Sequence, residues 1–199
     1  MNSTKKTYVF AGLAVFFWST VATAFKIALR EFDFIQLIYY VSFVSVVVLF
    51  LIATVQKKTN QLFRQSKKDL LKSMFLGALN PLIYYLVLFK AYSLLPAQLA
   101  QPLNMVWPIT LALLSVPLLK QKIGWKSIIA LLVSFIGIII ISSQGEFSGF
   151  RNTNWVGVLL AVGSSIIWAL YWIFNVRDER DEVIKLLSNF FFDSLLTRT

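Results

Sequence analysis

The sequence predicts an all-α fold, a polytopic helical membrane protein. Three observations predict it. The 199 residues are 58% hydrophobic and 14% charged, with a mean hydropathy of +0.72. Soluble domains are about half apolar and about a quarter charged. Six apolar stretches are each long enough to cross a bilayer, and the basic residues crowd onto alternate connections between them. The composition also excludes several classes. Disorder requires low hydrophobicity. With no cysteine there is no disulfide scaffold. With no histidine either, zinc and haem sites and histidine-based acid/base catalysis lose their usual groups. Only nine acidic residues remain for any hydrolytic chemistry. The expectation is therefore no enzyme, no metal and no cofactor.

A helix needs roughly 20 apolar residues to cross about 30 Å of hydrocarbon. The spans read as residues 8–29, 34–55, 71–92, 97–119, 124–142 and 155–175. Each is helical by length, since barrel strands alternate over about ten residues. The first apolar run is too long for a signal peptide and has no small-x-small cleavage pattern behind it. Residues 183–196 are mostly apolar again, but 14 residues make only about 21 Å of helix. They look like the first part of a seventh span. The intervening Arg177-Asp178-Glu179-Arg180-Asp181-Glu182 reads as a solvated turn.

Orientation follows from the connections. Fourteen basic residues lie on alternate connections: Lys5 and Lys6, six between Lys57 and Lys72, three between Lys120 and Lys126, and three between Arg177 and Lys185. The other side holds Arg30, Lys90 and Arg151. This bias places the N-terminus in the cytoplasm of a multi-pass cell-membrane protein. With topology to explain the net charge of +10, nucleic acid is not an expected partner. Membrane lipids are.

Polar groups occupy particular places inside the spans. Gln98, Gln101 and Asn104 recur at i, i+3 and i+6, a slowly drifting helical stripe. Amides facing lipid are unfavourable, so the stripe should face other helices or a water-filled cavity. Pro102 and Pro108 remove backbone donors from the same span and predict a broken helix. Broken helices at mid-depth point to transport sites; the plainer reading is a kink glued by amides. Asn80 and Tyr84 share one face beside Pro81, and Trp18, Thr20 and Trp168 add polar and aromatic groups in spans 1 and 6. Ala130, Ser134 and Gly137 give span 5 a small-residue face suited to close packing. Trp125 and Trp155 read as interfacial anchors. Lys26 and Lys90 lie near outer span ends. They either snorkel to the headgroups or attract an anionic group of a solute.

Trp18-Ser19-Thr20 with Phe25-Lys26 resembles the start of the EamA-type permeases of the drug/metabolite transporter superfamily. So does Lys90-Ala91-Tyr92-Ser93-Leu94-Leu95-Pro96-Ala97, leading into Asn104-Met105-Val106-Trp107-Pro108. The run from Gly124 to Ser142 is similar to that family's fifth helix, and Trp168-Ala169-Leu170-Tyr171 to the opening of its second repeat. The resemblance implies ten helices in two inverted five-helix repeats around a central cavity. On that pattern residues 8–142 are one repeat, and 155–199 are expected to be an incomplete second one, truncated after the sixth helix. Lys120-Gln121-Lys122 stands where the family commonly has a glutamate.

The expectation is a permease, or a fragment of one, moving a small metabolite. The candidate cavity residues are Trp18, Thr20, Lys26, Asn80, Tyr84, Gln98, Gln101, Asn104, Trp107 and Trp168, with helix breaks at Pro81, Pro102 and Pro108. One repeat and one helix do not enclose a cavity. Completing it would take a second copy of the chain, in a homodimer, or the missing C-terminal half. The rival reading is a non-transporting remnant that binds a membrane partner through its unpaired faces.

Overall fold

The computed structural model describes residues 3–142 and 153–198. Arg151, counted above on the outer side, lies outside them. The described residues contain no strand. The first helices are α1 (Ser3–Ala28), α2 (Phe34–Val55), the short α3 (Thr59–Phe63) and α4 (Lys67–Gly77). A wide, broken turn over Ala78–Ile83 leads into α5 (Tyr84–Leu94), followed by α6 (Ala97–Asn104) and α7 (Trp107–Leu119). The chain continues as α8 (Trp125–Ser142), α9 (Trp155–Val176) and α10 (Glu182–Leu196). Five stretches are long and apolar enough to cross a membrane: Thr7–Ala28, Phe34–Val55, Lys67–Leu94, Ala97–Leu119 and Trp155–Val176. The sixth apolar helix, α8, is shorter.

Local sequence sets the ends. Asp33 accepts from the amide of Gln36, and the Gln36 side chain answers the Asp33 amide, which closes a capping box at the start of α2. Ser66 and Asp69 do the same for α4. Asn154 accepts from the Gly157 amide at 3.1 Å to start α9.

Two spans are interrupted. The third is one stretch by length but breaks at Asn80, whose backbone is extended (φ −150°, ψ 117°) inside the turn that holds Pro81. The fourth stops at Met105 and restarts at Trp107, which puts Pro108 in the first turn of α7, where no amide is needed. The broken helix expected from Pro102 and Pro108 is thus present. Pro102 itself lies inside α6.

Helix α9 is the hub. It packs against α5, α6 and α7. Its buried face carries Gly157, Ala161, Ser164, Ser165 and Ala169, small residues at helical spacing that let backbones approach. A Cβ at Gly157 would lie 2.7 Å from Leu95 Cγ, so this end of α9 sits directly on the end of α5. The small-residue face expected on span 5 is not used this way. Ala130 and Ser134 are exposed, and Gly137 has no neighbour within 4 Å of a Cβ position. Helix α8 meets mainly α6, which leaves that face uncovered among the described residues.

Helix α10 lies against α2, α4 and the broken turn. At 15 residues it is about 22 Å long, and it is not among the membrane-crossing helices. Gly77 permits its approach: a methyl group there would run into the carbonyl oxygen of Asn189. Gly77→Ala should displace α10 and destabilise the fold by about 1–3 kcal/mol. Thermal unfolding of the purified protein in detergent measures this, and an unchanged midpoint would contradict the contact.

The polar turn after α9 is not simply solvated. Asp178 is 5% exposed and Lys185 2%. Lys58 meets Asp181 at 2.6 Å and Lys72 meets Asp178 at 3.5 Å. Arg177 donates to the carbonyl of Leu118 at the end of α7. Charges distant in sequence collect here because each desolvated carboxylate needs a cation. The basic connections therefore meet at one end of the bundle, and the ends of α1 and α5 and the start of α9 meet at the other.

Candidate functional site

The breaks in the third and fourth spans bring polar groups to mid-bundle. Tyr84 opens α5 directly after the broken turn, and Asn104 closes α6 directly before the second break. The Tyr84 hydroxyl donates to Asn104 Oδ1 at 3.2 Å, and Asn104 Nδ2 donates to Ser164 Oγ on α9 at 2.8 Å. The Ser164 hydroxyl in turn donates to the Ala161 carbonyl at 2.6 Å. Three helices are thereby tied through one amide that is 2% exposed. A buried amide is tolerated because its carbonyl and amino group both find partners. Thr110 and Ser165 pair at 3.0 Å one level away.

Beside this network lies a cavity of about 140 Å³. From α1 it is lined by Trp18, Val21 and Phe25, a single helical face at i, i+3 and i+7. From α5 come Tyr84, Leu88 and Tyr92, at i, i+4 and i+8, together with Tyr85. Gln101, Asn104 and Met105 form another wall, and Trp107 and Trp168 close it. The rings pack in sequence: Trp18 against Trp107 with centroids 6.3 Å apart, Trp107 against Trp168 at 6.3 Å, and Trp168 against Tyr84 at 4.7 Å. The Tyr92 hydroxyl donates to Gln101 Oε1. Among the described residues no charged side chain lines the cavity. Amides and phenols offer hydrogen bonds, and the rings offer apolar and π surface. The volume is below the ~300–1,000 Å³ of typical ligand pockets, so this conformation suits a small solute.

A second pocket of about 200 Å³ lies toward the charged end, lined by Asn80, Tyr171, Trp172 and Asn175 among others. Trp168 and Tyr85 line both pockets and form the wall between them.

Six of the expected residues, Trp18, Tyr84, Gln101, Asn104, Trp107 and Trp168, therefore share the first cavity. Asn80, beside the buried Pro81, lies in the second. Lys26 lines neither and donates to the Tyr92 carbonyl, tying α1 to the end of α5. Lys90 is exposed. Thr20 is exposed too, and its hydroxyl bonds back to the Phe17 carbonyl at 2.8 Å. Gln98 is exposed, while Gln101 is half-buried and Asn104 buried. The reason is angular. Each step of three residues turns the helix about 60° short of a full circle. Gln98 and Asn104 thus differ by about 120°, too much for one wall.

Sequence reasoning passed over Tyr92, Phe25 and the structural role of Ser164. The signal for Tyr92 was its i+8 spacing from Tyr84. The signal for Phe25 was its place on the Trp18 face.

A family model described as the EamA-like transporter family matches residues 5–143. A curated protein of Archaeoglobus fulgidus, described as an uncharacterized transporter, is 25% identical over 170 residues. The match covers 85% of this chain and 57% of that relative, so the chain spans little more than half its length. No solved structure matches the chain significantly.

Proposed function

We propose, from the premise that this chain belongs to the EamA-like transporter family, that it is the substrate-binding half of a permease for a small polar or amphipathic metabolite. The observation that carries this reading is the uncharged aromatic and amide cavity between α1, α5, α6 and α9, set against two helix breaks. Interrupted helices beside a mid-depth cavity are the usual architecture of a solute site in secondary transporters. Gln101 and Asn104 would hydrogen-bond the solute, and Trp18, Trp107, Tyr84 and Trp168 would cover its apolar part. No catalytic step is assigned to any residue.

The reading extends to topology and assembly. The convergence of the basic connections at one end supports a cytoplasmic face there, with the N-terminus on the same side of the cell membrane. Residues 8–142 act as the first repeat, and 155–199 begin the second. A second copy of the chain, or a C-terminal half, supplies the remaining wall.

The test compares cells that express the chain with cells that do not, for accumulation of labelled amino acids, nucleosides and amphipathic drugs. At equal expression, Gln101→Leu should lower transport of the responsive solute at least about tenfold, the scale of the ~1–3 kcal/mol cost of one buried polar group left unpaired. Thr20→Val, outside the cavity, should leave it unchanged. Equal transport by wild type and Gln101→Leu would sink the assignment.

A further inference from the structure

We propose that Asp193 is a proton-binding site, neutral while α10 is seated against α2, and that it couples the seating of this helix to pH. Asp193 is 0% exposed, as is Ser42 across the interface. The Ser42 hydroxyl meets Asp193 Oδ2, while Oδ1 has no hydrogen-bond partner. Among the described residues no lysine or arginine forms an ion pair with it. A carboxylate buried without a counter-ion is strongly disfavoured, and the group takes up a proton instead.

Besides the Ser42 hydroxyl, the backbone of Leu82 in the broken turn is the group that favours the ionised form, and the described surroundings supply no cation to go with it. Helices α2, α3 and α9 contain no Asp, Glu, Lys or Arg. Gly77, at the far end of α4, is the residue that meets Asn189 and the Asp193 backbone. Lys67, Lys68, Asp69 and Lys72 lie in the first half of that helix, and Lys67, which lines a pocket with Phe192, makes no ion pair with Asp193. Lys72 is moreover paired with Asp178. On α10 itself, Lys185 is two turns away and donates to Glu182 and to the carbonyls of Asn175 and Asp178. From α5, Tyr85 is the ionisable group that senses Asp193, and on α9 Tyr171 faces Asn189. Both are phenols, neutral at ordinary pH.

The step is a simple one. With α10 unseated, the carboxylate faces water and is ionised. Seating takes one proton from solvent onto the carboxyl, and unseating returns it. Because the seated state binds the extra proton, it loses population as pH rises, by up to about tenfold per pH unit.

Infrared spectroscopy of the purified chain in lipid vesicles tests this without any solute, so the result is independent of the transport reading. A protonated-carboxyl band should persist above the pH at which the protein's other carboxyls ionise. It should vanish in Asp193→Asn and remain in Glu179→Gln. Absence of the band, or its survival in Asp193→Asn, would overturn the proposal. If Asp193→Asn does not fold, Ser42→Ala decides: the band should shift in frequency, and an unmoved band counts against the site. A second readout uses the absence of cysteine from the chain. Leu187→Cys places a thiol on α10, at a position 3% exposed. Its labelling rate, divided by the rate in the Asp193→Asn background, should rise with pH. A constant ratio would refute the coupling.

Discussion

Replacing Asn104 by leucine is expected to cut solute transport sharply while only moderately destabilising the fold. Asn104 accepts from Tyr84 and donates to Ser164, and both bonds cross between helices. Interhelical hydrogen bonds in membrane proteins average about 0.6 kcal/mol and reach about 1.7. Losing two predicts about 1–3 kcal/mol, small enough for the protein to assemble. The functional loss should be larger, because the same amide stands on the cavity wall and the Tyr84 hydroxyl is left without its acceptor. A leucine is also bulkier than the asparagine and would narrow the cavity. Asn104→Leu should therefore unfold at a modestly lower temperature and transport more than about tenfold less, the scale of the ~1–3 kcal/mol cost of one buried polar group left unpaired. Equal losses in folded fraction and transport would reduce Asn104 to a structural role. Full transport would remove it from the site.

Arg180→Ala should be the most destabilising single change at the charged end. The Arg180 guanidinium donates to Asp178 at 2.6 and 3.0 Å, to Gln65 at 2.7 Å and to Ser73 at 2.9 Å. It joins the turn after α9 to the α3–α4 connection and to α4. Removing it leaves the Asp178 side chain, 3% exposed, with Lys72 at 3.5 Å. Breaking a buried pair from one side typically costs about 3–5 kcal/mol. Arg180→Lys should not restore stability, since one ammonium does not span three partners held by a planar fork.

The pH dependence carries the same signature. Burial by itself raises the Asp178 carboxyl, but the hydrogen bonds and charge of Arg180, with Lys72, outweigh it and hold the pKa at about 2, below the ordinary 3.8. A carboxyl lowered by folding stabilises the protein above its unfolded value, and that stability is lost as pH falls from about 3.8 toward 2. Melting temperature should fall through this window in wild type and fall less in Asp178→Asn. Parallel curves would show that the pair carries no folding energy.

These two sites differ in how far they were legible in advance. Trp18, Tyr84, Gln101, Asn104, Trp107 and Trp168 were all marked by local pattern, because a polar or aromatic group inside an apolar span is conspicuous. Their common cavity depended on which helices touch. Gln98 carries the same local signal as Asn104 but faces away, since a stripe at i+3 drifts around its helix. The Arg180 cluster was read as a solvated turn. Its partners Gln65, Ser73 and, at 4.0 Å, Asp69 lie more than a hundred residues upstream, and no local pattern connects them. Asp193 was likewise visible only as a polar residue in a short apolar run.

The sequence by itself determined that the chain is helical and built for a membrane, and where five of its six expected spans fall. Those properties follow from the transfer of apolar side chains out of water and from backbone hydrogen bonding within one segment. They need no knowledge of neighbours. The tertiary structure alone decided that α9 is the hub, that α10 seats on α2 through Gly77, and that Ser42 and Asp193 meet. Those outcomes depend on close packing and on desolvated polar groups finding partners across the whole chain.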